Sequence, residues 1–182
     1  MLNIMLDLET MGMGCNSAIV AIGAVEFTED LGITSRFYKT VDLQSCLDKG
    51  LDITGATVMW WMKQSEEARR SICENNISLE DALKTFHNWI SKGKDDVQIW
   101  GNGAAFDNAI LKNAYSKFKI DNPWPHWSDR CYLTIKNSFS YVESKQRGTF
   151  HNALNNANYQ ANHLLQLIKV HKLRDILCEQ YG

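Results

Sequence analysis

Residues 2–9 of the chain are LNIMLDLE, an aliphatic segment with alternating polar and apolar positions towards its end, and glycines follow at positions 12 and 14. Short alternating segments of this kind are typical of β-strands, and the glycines predict a turn. Asp7 and Glu9 are two residues apart, so a strand directs both side chains to one face. The segment therefore predicts a first strand that carries two carboxylates side by side.

The segments that follow extend this strand into a sheet. Apolar and β-branched residues at 18–27 and 36–41 predict two more strands in short succession, which is typical of an antiparallel meander. A fourth strand is predicted at 97–100, followed by the turn Gly101-Asn102-Gly103 and a helix over 104–115. The expected fold class is therefore α/β, with a sheet that mixes antiparallel and parallel pairs and is flanked by helices.

Three further helices are predicted. Ser78 is a suitable N-cap for a helix with apolar residues at Leu79, Ala82, Leu83, Phe86 and Ile90. Another helix is expected to begin near Ser128, after a loop that contains both prolines. A polar connection at 143–148 precedes a long helix from Asn152 to about Leu177, whose pattern allows one break near Lys169.

Composition limits the classes of protein to which the chain can belong. Its 182 residues, with 45% hydrophobic and 22% charged residues, predict one globular domain over 1–182. The five scattered cysteines predict reduced thiols, and the charged N-terminal segment predicts neither a signal peptide nor a membrane span, so a cytoplasmic protein is expected. A net charge of -2 argues against a broad basic surface for duplex binding.

Several polar residues have chemistry that suits a metal-dependent hydrolase. The carboxylates of Asp7 and Glu9 are hard oxygen ligands that favour magnesium or manganese. Asp107 follows the glycine turn at a helix start, and His151 precedes the last helix with a side chain that can accept a proton from water. Each residue alone has an ordinary alternative role as a surface charge, a helix-start acid or an exposed histidine.

Taken together, these motifs resemble those of the DEDDh 3'-5' exonucleases, which have an RNase H-like fold. Residues 6–12 (LDLETMG) are similar to the first motif of that family, residues 101–107 (GNGAAFD) to the second and residues 151–154 (HNAL) to the third. Residues 57–61 (TVMWW) add a similarity to exonucleases of phages and prophages. The resemblance implies that two divalent ions are held by four acidic residues and that a histidine acts as the general base. It implies Asp7, Glu9 and Asp107 as ligands and His151 as the base.

The chain departs from this family at its fourth acidic position. The third motif carries aspartate five residues after the histidine, where this chain has Asn156. Asn156 offers one neutral carbonyl oxygen, which binds a hard cation more weakly, so a weakened second ion site and impaired catalysis in an intact fold are expected. Engineered inactivation, natural loss of activity and a site that tolerates the amide are three alternatives. Asp129 is expected to cap a helix rather than replace the missing acid.

The resemblance also implies where a terminal nucleotide binds. Thr10, Met11 and Phe106 match positions that hold it, and we expect Trp60 rather than Trp61 to face a substrate groove because adjacent helical residues point in different directions. Packing in the core is the alternative for both aromatic positions. The expected partner is the 3' end of DNA or RNA; the strand type and the oligomeric state stay open.

Two other functions remain compatible with the sequence. A 3'-end-binding module that retained the fold and one metal but lost turnover is the first, and Asn156 supports it. The second is an unrelated α/β protein in which the acidic residues coincide by chance, which requires that they lie apart in space.

Overall fold

The structure is a computed structural model that describes residues 2–90, 97–139 and 151–171. A five-stranded mixed sheet forms its centre, and the strands are β1 (Leu2–Thr10), β2 (Ile19–Thr28), β3 (Gly32–Thr40), β4 (Val97–Gly101) and β5 (Asp129–Cys131). Their spatial order is β3-β2-β1-β4-β5. The first three strands form an antiparallel meander, whereas β4 pairs parallel with both β1 and β5.

Seven α-helices connect and cover these strands in the described part of the chain: α1 (Leu43–Leu47), α2 (Gly55–Trp61), α3 (Glu66–Arg70), α4 (Leu79–Ile90), α5 (Asp107–Lys117), α6 (Tyr132–Ser138) and α7 (Ala153–His171). A short 3-10 helix spans His126–Ser128. As predicted, Ser78 caps α4, because its Oγ accepts a hydrogen bond from the backbone N–H of Asp81 at 3.1 Å. No helix within the described ranges is both long and apolar enough to span a membrane.

The central strand β1 is buried along its whole length because helices cover both faces of the sheet. Its even-numbered residues from Leu2 to Leu8 pack into a core that also contains apolar residues of α4 and α5. Met5 faces the opposite core, where it packs with Trp100 and with apolar residues of α7. This alternation and the mixed strand pairing confirm the predicted α/β class, with a mixed sheet between helices.

The prediction of a helix beginning near Ser128 is wrong. Residues 129–131 form the edge strand β5, which pairs with Ile99, Trp100 and Gly101 of β4, and α6 begins only at Tyr132. Asp129 therefore does not cap the start of α6, whose N-cap is Cys131; it is the C-cap residue of the 3-10 helix His126–Ser128. Its carboxylate instead accepts hydrogen bonds from Asn108 Nδ2 at 2.9 Å and Trp124 Nε1 at 2.9 Å, and it also pairs with Lys112. These side-chain partners hold the segment against the sheet.

Other boundaries differ by a few residues from the prediction. The strand β3 begins at Gly32, and α5 begins at Asp107 because residues 102–106 continue the glycine turn. The last helix runs without a break past Lys169 to His171. Its predicted continuation to Leu177 and the predicted connection at 143–148 lie outside the described residues.

Candidate active site

The C-terminal ends of the parallel strands β1 and β4 lie side by side. Leu6 is paired with Gly101, so the turn after β4 begins beside the part of β1 that carries Asp7 and Glu9. The absence of a side chain at Gly101 allows α5 to start close to the sheet: a Cβ there would lie 2.5 Å from Asn108 Oδ1. This close approach brings Asp107, the first residue of α5, to the edge of β1.

The Asp107 carboxylate is hydrogen-bonded to the backbone of Leu8, the residue between Asp7 and Glu9 on β1. Its Oδ1 accepts a hydrogen bond from the N–H of Leu8 at 3.1 Å, and its Oδ2 accepts one from the N–H of Asn102 at 3.1 Å. Asp7, Glu9 and Asp107 are all buried, with 7%, 7% and 3% of their surfaces exposed. We call these three residues the carboxylate cluster.

The helix α7 approaches the same end of the sheet over a second glycine. Gly23 of β2 is paired with Asp7, and a Cβ at Gly23 would overlap the backbone of Ala153 and Leu154 at the start of α7. The approach brings Asn156 Nδ2 to 3.1 Å from Asp7 Oδ2 and 3.3 Å from Glu9 Oε1. The structure thus brings together all four predicted ligand positions, which come from three different segments of the chain.

One residue of this site was missed by the sequence analysis. Gln160 lies one helical turn after Asn156, and its Nε2 donates to Asp7 Oδ1 at 2.7 Å. Only 4% of its surface is exposed. The sequence did contain a signal for Gln160, because this polar residue lies on the same face of the predicted helix as the apolar residues Ala157, Ala161 and Leu164.

Burial and mutual repulsion raise the pKa values of the carboxylate cluster. Burial raises the pKa of Asp7 to about 7, against hydrogen bonds from Gln160 and Asn156 that lower it. Burial and the charges of Asp7 and Asp107 raise the pKa of Glu9 to about 9. Burial and the charge of Asp7 also raise the pKa of Asp107, against backbone N–H donors that lower it. A cation bound among these groups would relieve both effects.

The residues present fit a hard divalent cation. Three carboxylates and the amide of Asn156 are oxygen-bearing side chains of the type that magnesium and manganese prefer. Within the described part of the chain, no group of three or more His, Cys, Asp or Glu side chains has the arrangement of a pre-formed metal site. The Asn156 amide donates its N–H groups to the carboxylates, so it would have to present its Oδ1 to act as a ligand.

His151 lies two residues before α7 in a left-handed backbone conformation, with φ of 58°. Its ring makes edge contacts with Trp60 at 4.7 Å and with Trp61 at 6.3 Å between centroids. The next residue, Asn152, caps α7 through Asn155 N–H and donates to Tyr38 Oη at 3.3 Å. His151 is thus held against the tryptophan pair at the start of the helix that carries Asn156.

A cavity of ≈ 490 Å³ opens beside Glu9, and we call it the Trp60 cavity. Its walls include Glu9 and Thr10 of β1, Thr57, Trp60 and Trp61 of α2, and Phe106. Trp60 is 42% exposed, whereas Trp61 is 4% exposed and donates from Nε1 to the carbonyl of Thr10 at 2.9 Å. The two adjacent tryptophans therefore differ in exposure, with Trp60 facing solvent and Trp61 packed inside, although both line the cavity.

The structure places Met11 differently from the other predicted nucleotide-binding positions. Its side chain packs against two apolar cores, and its backbone N–H and C=O are bonded to Ala18 and Thr54. Met13, in the loop after β1, lines the Trp60 cavity instead and is 74% exposed. The sequence analysis missed Met13, because a loop residue has no periodic pattern that marks its direction.

The fold and the site together define a 3'-5' exonuclease of the DEDDh type. The chain belongs to the family described as the 3'-5' exoribonuclease Rv2179c-like domain, whose model matches residues 2–168. An exodeoxyribonuclease of Enterobacteria phage T4 is 27% identical over 158 residues, which cover 71% of this chain and 68% of that protein.

Solved structures with low sequence identity share the fold. The nuclease domain of 3'hExo, a DEDDh family member bound to rAMP, has a TM-score of 0.63 at 12% identity, covering 93% of this chain and 92% of that one. E. coli exonuclease I in complex with a dT13 oligonucleotide has a TM-score of 0.65 at 13% identity, covering 97% of this chain but only 43% of the other. At 12% and 13% identity, these likenesses show that the chain shares its fold with known exonuclease domains.

Proposed function

We propose that the chain hydrolyses phosphodiester bonds at the 3' end of nucleic acid, with Asp7, Glu9, Asp107 and Asn156 as ligands for Mg²⁺ or Mn²⁺. The observation that carries the proposal is the contact of one amide, Asn156 Nδ2, with carboxylate oxygens of both Asp7 and Glu9. A positively polarised N–H group bridging two buried carboxylates occupies the kind of position that suits a shared cation.

Two ions are expected, and the second is held more weakly. Bound divalent ions would activate water and stabilise the leaving oxygen of the phosphodiester. The chain contributes three carboxylates that offset the charge of the ions. A site with four acidic side chains would contribute one more negative charge. The neutral Asn156 therefore lowers the affinity for one ion and slows hydrolysis without disturbing the fold.

In this proposal His151 is the general base. An imidazole nitrogen would accept the proton of the attacking water, which is the role of a general base. Its support is positional: His151 lies beside the wall of the Trp60 cavity and is joined through Asn152 to the helix that carries Asn156.

The Trp60 cavity is the proposed site for the terminal nucleotide. Trp60 and Phe106 offer aromatic faces on which any base can stack, so binding would depend little on sequence. Thr10 lines the same cavity, and the Met11 backbone, which follows the end of β1, is hydrogen-bonded to Ala18 and Thr54. Glu9 belongs both to this cavity and to the carboxylate cluster, which would bring the scissile phosphate next to the ions.

The proposed substrate is a 3' end of DNA or RNA. The description of the matching family names an exoribonuclease, whereas the phage T4 relative is an exodeoxyribonuclease. The first name indicates an RNA substrate and the second a DNA substrate. DNA and RNA oligonucleotides of the same sequence, each labelled at the 5' end, would separate these substrates when incubated with the protein and Mn²⁺.

The decisive experiment follows shortening from the 3' end. A 5'-labelled oligonucleotide should give a ladder of products one nucleotide apart in Mn²⁺ and none in EDTA. A 3'-blocked oligonucleotide and the variant Asp7→Asn are the controls. Equal product formation by the Asp7→Asn variant would assign the activity to a contaminant and overturn the proposed ligands.

A 3'-end-binding module without turnover is the second candidate, and Asn156 is the feature that favours it. A binding module of this kind must bind a labelled oligonucleotide at saturating Mn²⁺ and leave the length of the oligonucleotide unchanged. Shortening of the oligonucleotide under the same conditions excludes it.

A further inference from the structure

Gln160 contacts the carboxylate cluster but belongs to none of the motifs that carry the family resemblance. Its Nε2 donates to Asp7 Oδ1 at 2.7 Å, the shortest of the three contacts that α7 amides make with the cluster. Both partners are buried, with 4% of Gln160 and 7% of Asp7 exposed. Water therefore competes little for this hydrogen bond.

The two oxygens of Asp7 are held by two successive turns of α7. Asn156 Nδ2 contacts both Oδ2 of Asp7 and Oε1 of Glu9, whereas Gln160 Nε2 contacts Oδ1 of Asp7. A cation shared by Asp7 and Glu9 would compete with the N–H groups of Asn156. The contact from Gln160 could remain in place, because it uses the opposite oxygen.

The other end of the Gln160 amide indicates what this side chain contributes. Its Oε1 is buried and has no hydrogen-bond partner among residues 2–90, 97–139 and 151–171. A buried acceptor without a donor is unfavourable, so the side chain gains its favourable polar interaction from Nε2. Rotating the amide would replace the Nε2 donor by Oε1 beside Asp7 Oδ1, and the hydrogen bond from Gln160 Nε2 would be lost.

We propose that Gln160 is a positioning residue that orients the Asp7 carboxylate for metal binding through the hydrogen bond from Nε2 to Oδ1. The inference rests on the proposed function, since it assumes that Asp7 is a ligand. Hydrogen bonds to a ligating carboxylate from outside the metal's own ligand set fix its direction and restrict its rotation.

The test compares metal affinity rather than activity. Gln160→Leu removes the donor at similar volume, and Gln166→Leu makes the same change at an exposed position of the same helix. Calorimetric titration with Mn²⁺ should give a dissociation constant about 10–100-fold higher for Gln160→Leu. The Gln166→Leu variant should match the parent. Equal affinity of the parent and Gln160→Leu would overturn the proposal.

A second measurement guards against misfolding of the variant. In the unmodified protein, titration with Mg²⁺ should shift the side-chain amide resonance of Gln160 and leave that of Gln166 unchanged, as followed by ¹H–¹⁵N NMR. A Gln160 resonance that does not respond while Mg²⁺ binds overturns the positioning role alone. Absence of Mg²⁺ and Mn²⁺ binding by the parent and by Asn156→Asp overturns the proposed function itself.

Discussion

Asn156 Nδ2 lies 3.1 Å from Asp7 Oδ2, although the two residues are 149 positions apart in the chain. A side-chain amide thus donates to a buried carboxylate at the position where the family pattern that the chain resembles has a fourth acid. The contact stabilises a cluster of negative charge without a cation, and it directs the amide oxygen of Asn156 away from Asp7. Activity of the chain should therefore depend strongly on this one side chain.

Restoring the acid should raise the nuclease activity. Asn156→Asp replaces a donor by a ligand oxygen with full charge, so the second ion is bound more tightly. We expect Mg²⁺-dependent cleavage to increase by about 10–100-fold, the scale on which changes around metal sites act. The control is Asn162→Asp, which adds the same charge at an exposed position of α7. Equal cleavage rates for the parent and Asn156→Asp would refute the assignment of residue 156 as a ligand.

The close approach at Gly23 should be sensitive to a single methyl group. Gly23→Ala places a Cβ inside the backbone of Ala153 and Leu154, so α7 must move away from β2 and carry Asn156 with it. We expect a loss of about 1–3 kcal/mol in the free energy of unfolding, together with weaker Mn²⁺ binding. Urea denaturation and calorimetry would measure the two effects.

The matched control is Gly14→Ala. A Cβ at Gly14 meets no atom of the described residues within 4 Å, so this variant should keep the stability and metal affinity of the parent. If Gly23→Ala is as stable as Gly14→Ala, the approach of α7 is less tight than the structure indicates.

Stability without metal should fall as the pH rises. The pKa values of Asp7 and Glu9 are raised to about 7 and about 9 in the folded protein, so between about pH 5 and these values the folded chain binds protons that the unfolded chain has released. The free energy of unfolding in EDTA therefore decreases through this range. Denaturant titrations at successive pH values would measure it.

The variant Glu9→Gln and added Mn²⁺ test whether the raised pKa values of Asp7 and Glu9 cause this loss of stability. The variant lacks the group with the higher pKa, so its stability should fall less steeply between pH 7 and pH 9. Mn²⁺ should stabilise the unmodified protein more at pH 9 than at pH 6, because ligands must lose their protons to bind. A steeper fall in Glu9→Gln than in the parent would contradict the assigned pKa shifts.

Substitution of the two adjacent tryptophans should have different effects, one on substrate binding and the other on the stability of the fold. Trp61→Ala removes a side chain that is 4% exposed and bonded to Thr10, so it should cost about 3–5 kcal/mol in the free energy of unfolding. Trp60→Ala removes a half-exposed ring and should raise the KM for oligonucleotides while changing stability little. Steady-state kinetics and thermal unfolding of both variants measure this. An unchanged KM in Trp60→Ala would remove Trp60 from the nucleotide site.

Loss of His151 should affect hydrolysis and leave metal binding intact. In an Asn156→Asp background, His151→Ala removes the proposed base, and we expect kcat to fall by about 10²–10⁴-fold. Calorimetry should give the same Mn²⁺ affinity before and after the change, since the carboxylate cluster is untouched. A kcat that stays within a few-fold would assign proton transfer to another group.

Much of the fold was accessible from the sequence because its signals are local. The alternation in 2–9, the apolar segments of the meander, the glycine turn after residue 100 and the Ser78 cap each lie within a few residues, and each predicts its own element. The resemblance of the motifs around Asp7, Glu9 and Asp107 to those of a known family likewise implied that these three residues share metal ions. The family assignment then followed from the joint pattern.

The features of the fold and the site that the sequence did not predict depend on contacts between separate segments of the chain. Asp129 became part of an edge strand because Asn108 and Trp124 supply its hydrogen bonds, and no periodicity near residue 129 records that arrangement. The depth at which α7 lies on Gly23, and with it the contact from Gln160 to Asp7, depends on backbone distances between segments more than 100 residues apart. Local sequence patterns specify which face a side chain takes, whereas only packing between elements sets how closely those faces meet.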